Sequence, residues 1–67
     1  MDSLSAHIKQ KRKQYKLSQV ELAQRAGVGL RFVRELEQDK STLRMDKVNE
    51  VLRLFGEHLA PVKIIEL

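Results

Sequence analysis

The sequence predicts an all-α domain of four helices ending in a short strand, and three observations carry that expectation. The chain has 67 residues, a length that holds one domain, residues 1–67, around one small core. Apolar residues recur at three- and four-residue spacings in four separate stretches, the pattern of amphipathic helices. After Leu59 that period is lost and β-branched residues take over, which favours extended chain. There is no cysteine and there are only two histidines, so neither disulfides nor a metal centre supplements so small a core. Self-association is the remaining source of stability.

Leu4, Ile8 and Tyr15 set the first helix at about residues 4–15, with its lysines turned outward. Ser18 is a good N-cap and Glu21 stands three positions on, the spacing of a capping box, while Gly27 supplies a stop. The second helix is therefore expected at about 18–26, burying Leu22, Ala23 and Ala26. Beyond the Gly27-Val28-Gly29 turn, Phe32, Val33 and Leu36 form one stripe, and Arg31, Arg34, Glu35 and Gln38 fall on the opposite face. This third helix thus exposes a polar, partly cationic side. A polar stretch, Asp39-Lys40-Ser41-Thr42, precedes a fourth helix lined by Met45, Val48, Val51, Leu52, Leu54 and Phe55, with Gly56 as its C-cap.

From about residue 59 to residue 67, Leu59, Pro61, Val62, Ile64 and Ile65 read as a strand. A solitary strand leaves its backbone groups unpaired and the chain offers no second one, so the expected partner is the same strand of another copy. That predicts a homodimer held through Leu59, Val62, Ile64 and Ile65, with the fourth helix beside them. A frayed tail packing its apolar side chains on the helices is the simpler alternative.

Thirteen Lys and Arg against nine Asp and Glu leave a net charge of +4. All of it sits in residues 1–16, where Lys9, Lys11, Arg12, Lys13 and Lys16 face only Asp2. Such an end suits a polyanion, and a solvated helix face has the same composition. Other chemistries are excluded more firmly. The longest apolar runs, such as Leu59-Ala60, are two residues long, too short for a membrane span or a signal-peptide core, which predicts a cytoplasmic protein. His7 and His58 lack a spaced carboxylate or second imidazole, so no metal, cofactor or general-base role is assigned and no enzyme activity is expected. Gly27-Val28-Gly29-Leu30-Arg31-Phe32 starts like a dinucleotide fingerprint, but Phe32 holds the place of the third glycine and no strand precedes it. Tyr15, Phe32 and Phe55 are the only aromatic residues, which provides no stacking platform for single strands.

Two helices joined by a Gly-containing turn, the second exposing arginines, outline a helix-turn-helix at about 18–38. Leu17-Ser18-Gln19-Val20-Glu21-Leu22-Ala23, Ala26-Gly27-Val28 and Val33-Arg34-Glu35-Leu36-Glu37 resemble the Cro/C1-type (XRE family) helix-turn-helix of phage repressors and bacterial regulators. The resemblance covers about residues 5–56 and implies a four-to-five-helix repressor-like domain on double-stranded DNA at a pseudo-palindromic operator. It also implies a cytoplasmic, nucleoid-associated regulator. The short fourth helix followed directly by an apolar strand resembles the HipB-like branch, which implies an antitoxin that represses its own operon and binds a HipA-like toxin kinase. The rival readings are a stand-alone phage-type repressor and a protein-interaction module without DNA.

The resemblance also implies roles. Gly29, Leu30, Arg31, Arg34 and Glu35 occupy the part that enters the major groove. Arg31 and Arg34 carry guanidinium groups able to bond guanine O6 and N7, or else a phosphate. Gly29 and Leu30 stand where relatives often carry polar side chains, and Leu30 is suited to a thymine methyl. Glu35 has three open roles: accepting from cytosine, orienting Arg31 through an i, i+4 pair, or repelling phosphate. Ser18, Gln19, Lys40, Ser41, Thr42 and Arg44 are expected on the DNA backbone. Arg12 and Glu37 match a structural salt bridge between the first helix and the end of the third.

Overall fold

A computed structural model describes residues 3–63, in which four helices follow one another: α1 Leu4–Gln14, α2 Gln19–Ala26, α3 Leu30–Glu37 and α4 Met45–Leu54. The first two helices begin at serine caps. The Ser3 hydroxyl accepts from the Ala6 N–H at 3.2 Å at the start of α1. Ser18 does the same for α2, accepting from the Glu21 N–H at 3.0 Å while its own N–H donates to Glu21 Oε1 at 2.8 Å, which completes the capping box. That backbone N–H, with the Ser18 hydroxyl behind it, holds the Glu21 carboxyl below its ordinary range. Gly29 and Arg44 precede α3 and α4 without a side-chain cap.

The four helices end alike. In each, a residue with positive φ reverses the chain: Lys16 at 57°, Gly27 at 73°, Asp39 at 62° and Gly56 at 75°. The next N–H folds back onto a last-turn carbonyl, as Leu17 does to Arg12, Val28 to Ala23, Lys40 to Glu35 and Glu57 to Leu52. Only glycine adopts this conformation without a Cβ penalty, so the glycines at 27 and 56 advertise their turns. Lys16 and Asp39 make the same turn at some cost, which is why the sequence does not announce theirs.

Ile8, Leu22, Val33, Leu36 and Val51 are fully buried and form the centre of the core, with Leu17, Ala23, Ala26, Val48, Leu52 and Phe55 around them. Burying each large aliphatic side chain contributes roughly 1.5–3 kcal/mol before chain entropy is counted. The helix α3 packs on both α1 and α2, and α4 packs on α2. The outer face of α3 is thereby left open. Two residues assigned to apolar faces lie further out than expected. Met45 opens α4 and is 71% exposed. Tyr15 is also exposed, yet its ring meets Phe55 with centroids 5.1 Å apart and a 59° tilt, an arrangement aromatic pairs favour.

The C-terminal segment departs from the expected strand. Residues 59–63 have no strand or helix in the single chain, for want of a neighbouring ladder to pair with. Leu59 is half-buried against the core and its N–H donates to Asn49 Oδ1 at 2.7 Å. Val62 is 88% exposed. Ile64 and Ile65 lie outside the described residues. A further tie fixes the start of the tail: His7 Nε2 and Glu57 Oε1 are 2.7 Å apart, with Lys11 Nζ at 3.9 Å from the other Glu57 oxygen. No helix among the described residues is long and apolar enough to cross a membrane.

Candidate nucleic-acid interface

The anchor of the site is a buried carboxylate. Glu37 is the last residue of α3, and its side chain is only 2% exposed. It accepts from Arg12 Nε at 2.7 Å on one oxygen and from Arg12 Nη2 at 3.1 Å on the other, a two-pronged pair that ties α1 to the end of α3. The third Arg12 nitrogen donates to the Leu17 carbonyl at 2.9 Å, and the Gln19 amide donates to Glu37 Oε1 at 3.1 Å. Charge and hydrogen-bonding capacity are thus met together, as burial of an ion requires. The predicted pairing of Arg12 with Glu37 is present.

Gln19 stands differently from its expected role. Its amide is committed to Glu37 rather than held free at the start of α2. Ser18, likewise, is occupied by the capping box. The sequence assigned both to phosphate, and the residue it left out of that assignment, Glu37, is the one that draws the Gln19 amide inward.

On the open face of α3, Arg31 and Arg34 lie one turn apart and both are exposed, Arg31 by 91% of its side chain. Arg34 has no ion pair among the described residues. Arg31 Nε donates to Glu35 Oε1 at 3.1 Å, and Lys40 Nζ donates to Glu35 Oε2 at 2.9 Å. The Lys40 ammonium, with Arg31 behind it, keeps the Glu35 carboxyl below its ordinary range. Lys40 reaches it because the Asp39 reversal returns the chain over the last turn, where the Lys40 N–H also bonds the Glu35 carbonyl at 3.2 Å. Gly29 lies at the N-cap of α3 with φ −74° and open space where a Cβ would stand. Its lack of a side chain answers to nothing inside the fold. Leu30 is half-buried and packs toward the core, leaving it less free for a thymine methyl than the sequence suggests.

Ser41 and Thr42 are exposed in the loop after α3. Arg44 is exposed too, but it binds Asp46 through two hydrogen bonds at 3.1 and 2.6 Å and lowers the pKa of that carboxyl. Cationic and polar groups therefore run from the face of α3 through the loop to the start of α4, on an outer face backed by a rigid core. Among the described residues no cluster of His, Asp and Glu could hold a metal ion.

This geometry is that of a helix-turn-helix: two short helices, a three-residue turn between Ala26 and Leu30, and a second helix whose outer face is free. The Helix-turn-helix family model matches residues 8–62, and the chain belongs to that family. A protein of Sinorhizobium fredii (strain NBRC 101917 / NGR234) described as an uncharacterized HTH-type transcriptional regulator, y4mF, is 51% identical over 45 residues, which cover 67% of this chain and 59% of that protein. The chain thus spans less than two thirds of the length of the curated relative it matches.

Proposed function

We propose that the chain is a sequence-specific double-stranded DNA-binding transcriptional regulator. The observation that carries this reading is the exposed Arg31 and Arg34 pair on a helix whose end is locked by the buried Arg12–Glu37 bond. Rigid backing matters because base readout depends on donors held in place, while phosphate contacts supply most of the affinity. Gly29, Leu30, Arg31, Arg34 and Glu35 form the base-facing group, with the open space at Gly29 allowing close approach of a duplex. Lys40, Ser41, Thr42 and Arg44 line the flank that follows the backbone, joined by the backbone N–H groups at the start of α2 that the capping box leaves open. Family membership and the printed description of the S. fredii relative support the same reading.

A homodimer on a pseudo-palindromic operator is part of the proposal, and the exposed apolar Val62 beside half-buried Leu59 supports a tail that pairs with its copy. In the finer reading the chain is a HipB-like antitoxin that represses its own operon and engages a HipA-like toxin kinase. The short α4 followed at once by an apolar tail supports it. Isolation of the native complex with sequencing of its DNA separates an antitoxin from a stand-alone repressor, since only the former brings down a kinase-like partner.

Base readout has its own test. Arg31→Ala and Arg34→Ala are each expected to cost roughly 1–3 kcal/mol on the preferred duplex and little on a scrambled one. Lys40→Ala is expected to weaken binding to the preferred duplex and to lower its salt slope by about one unit, the mark of a phosphate contact. Equal losses on both DNAs for the arginine variants would reduce them to phosphate contacts.

A further inference from the structure

Among the described residues, Glu35 is the one acidic side chain joined to two cations of the proposed interface at once, and the two come from different elements. Arg31 lies one turn before it on α3 and Lys40 lies beyond the Asp39 reversal. The contacts are unequal in consequence. Arg31 gives Glu35 only its Nε, leaving both terminal amino groups at the solvent end of a 91% exposed side chain. Those two nitrogens form the end of the guanidinium fork that suits guanine O6 and N7. Lys40 gives Glu35 its only charged group, and an ammonium so engaged must leave the carboxylate before it can hold a phosphate.

We propose that Glu35 is a positioning residue that sets the selectivity of DNA binding: it aims Arg31 at base edges and withholds Lys40 from phosphates of non-cognate DNA. This rests on the duplex-reading function proposed above. On the preferred sequence, correct docking of Arg31 offsets the loss of the Lys40–Glu35 pair. On other sequences Arg31 finds no matching acceptors, and the carboxylate keeps both its partners and its repulsion of the backbone. The cost of a wrong site is thereby raised, which is how selectivity is obtained without adding contacts to the right one.

The test uses the full chain and two short duplexes, one enriched from a random pool by the wild-type protein and one scrambled from it. Glu35→Ala is expected to fold as the wild type does, since alanine suits a helix interior. It should bind the scrambled duplex roughly three- to tenfold more tightly, with a log–log salt slope steeper by about one unit as Lys40 becomes a phosphate ligand. The ratio of preferred to scrambled affinity should fall about tenfold. In a Lys40→Ala background the same change should no longer steepen the slope, and in an Arg31→Ala background it should no longer lower the ratio. An unchanged slope and ratio in Glu35→Ala would overturn the proposal, as would equal weakening on both duplexes, which a merely structural role produces. If the wild type itself enriches no sequence and shows no salt dependence, the DNA-reading function falls first and takes this inference with it.

Discussion

Arg12→Ala is expected to destabilise the fold by about 3–5 kcal/mol, because it leaves the Glu37 carboxylate, 2% exposed, with only the Gln19 amide for a partner. A domain of this size rarely has more than that in reserve. The variant should therefore be largely unfolded at room temperature, and thermal melting followed by circular dichroism reads this directly. Glu37→Ala strands a less deeply buried charge, since Arg12 is 14% exposed and keeps its bond to the Leu17 carbonyl. It should fall toward the lower end of the same range. The double variant should lose far less than the two singles combined, because neither charge is then left alone. Two small effects that simply add would show that the pair holds nothing together.

Removal of the tail after Gly56 has the second large expected effect. It deletes Glu57, which faces His7 at 2.7 Å, and Leu59, whose backbone bonds Asn49 and whose side chain packs on the core. The helices that remain should be at most marginally stable. If the tail also joins two copies, the truncated chain should sediment as a monomer and lose tight operator binding while keeping weak half-site contact. A dimer fixes its two recognition helices about one DNA turn apart, roughly 34 Å, and a monomer forfeits that simultaneous engagement. A truncated chain that stays dimeric with unchanged affinity would move the interface to α4 alone and leave the tail for another partner.

Those two predictions draw on parts of the molecule that differ in how far the sequence discloses them. Local signals were legible where one residue type has one physical use. Ser18 with Glu21 marks the start of α2, and Gly27 and Gly56 mark two helix ends, because capping and left-handed backbone are short-range demands. The ends at Lys16 and Asp39 were hidden, since nothing in those residue types favours positive φ strongly enough to be read. The exposed face of α3 was legible from helical spacing, and the open flank of Arg31 and Arg34 follows it.

Contacts between distant positions required more. Arg12 and Glu37 were legible only through resemblance to a family, and the turn of the Gln19 amide toward Glu37 was not legible at all. His7 has no suitably spaced carboxylate near it in the sequence, yet the fold brings Glu57 beside it across 50 positions. Helical spacing puts Glu35 beside Arg31, but its bond to Lys40 depends on the Asp39 reversal, which the sequence does not reveal. The tail shows the converse case. Its composition favours a strand, and residues 59–63 take none in a single chain because a strand is a property of a pair.

The central claim, that the open face of α3 reads duplex DNA, is tested most directly by titrating the wild-type protein against its enriched duplex and the scrambled control over a range of salt concentrations. Each phosphate neutralised contributes about 0.9 to the fall of log affinity with log salt. A linear fall of several such units is expected on both duplexes, with a clear preference for the enriched one at every salt concentration. A shallow slope with equal, weak binding to both would contradict it and leave a helical domain that meets its partners by some other surface.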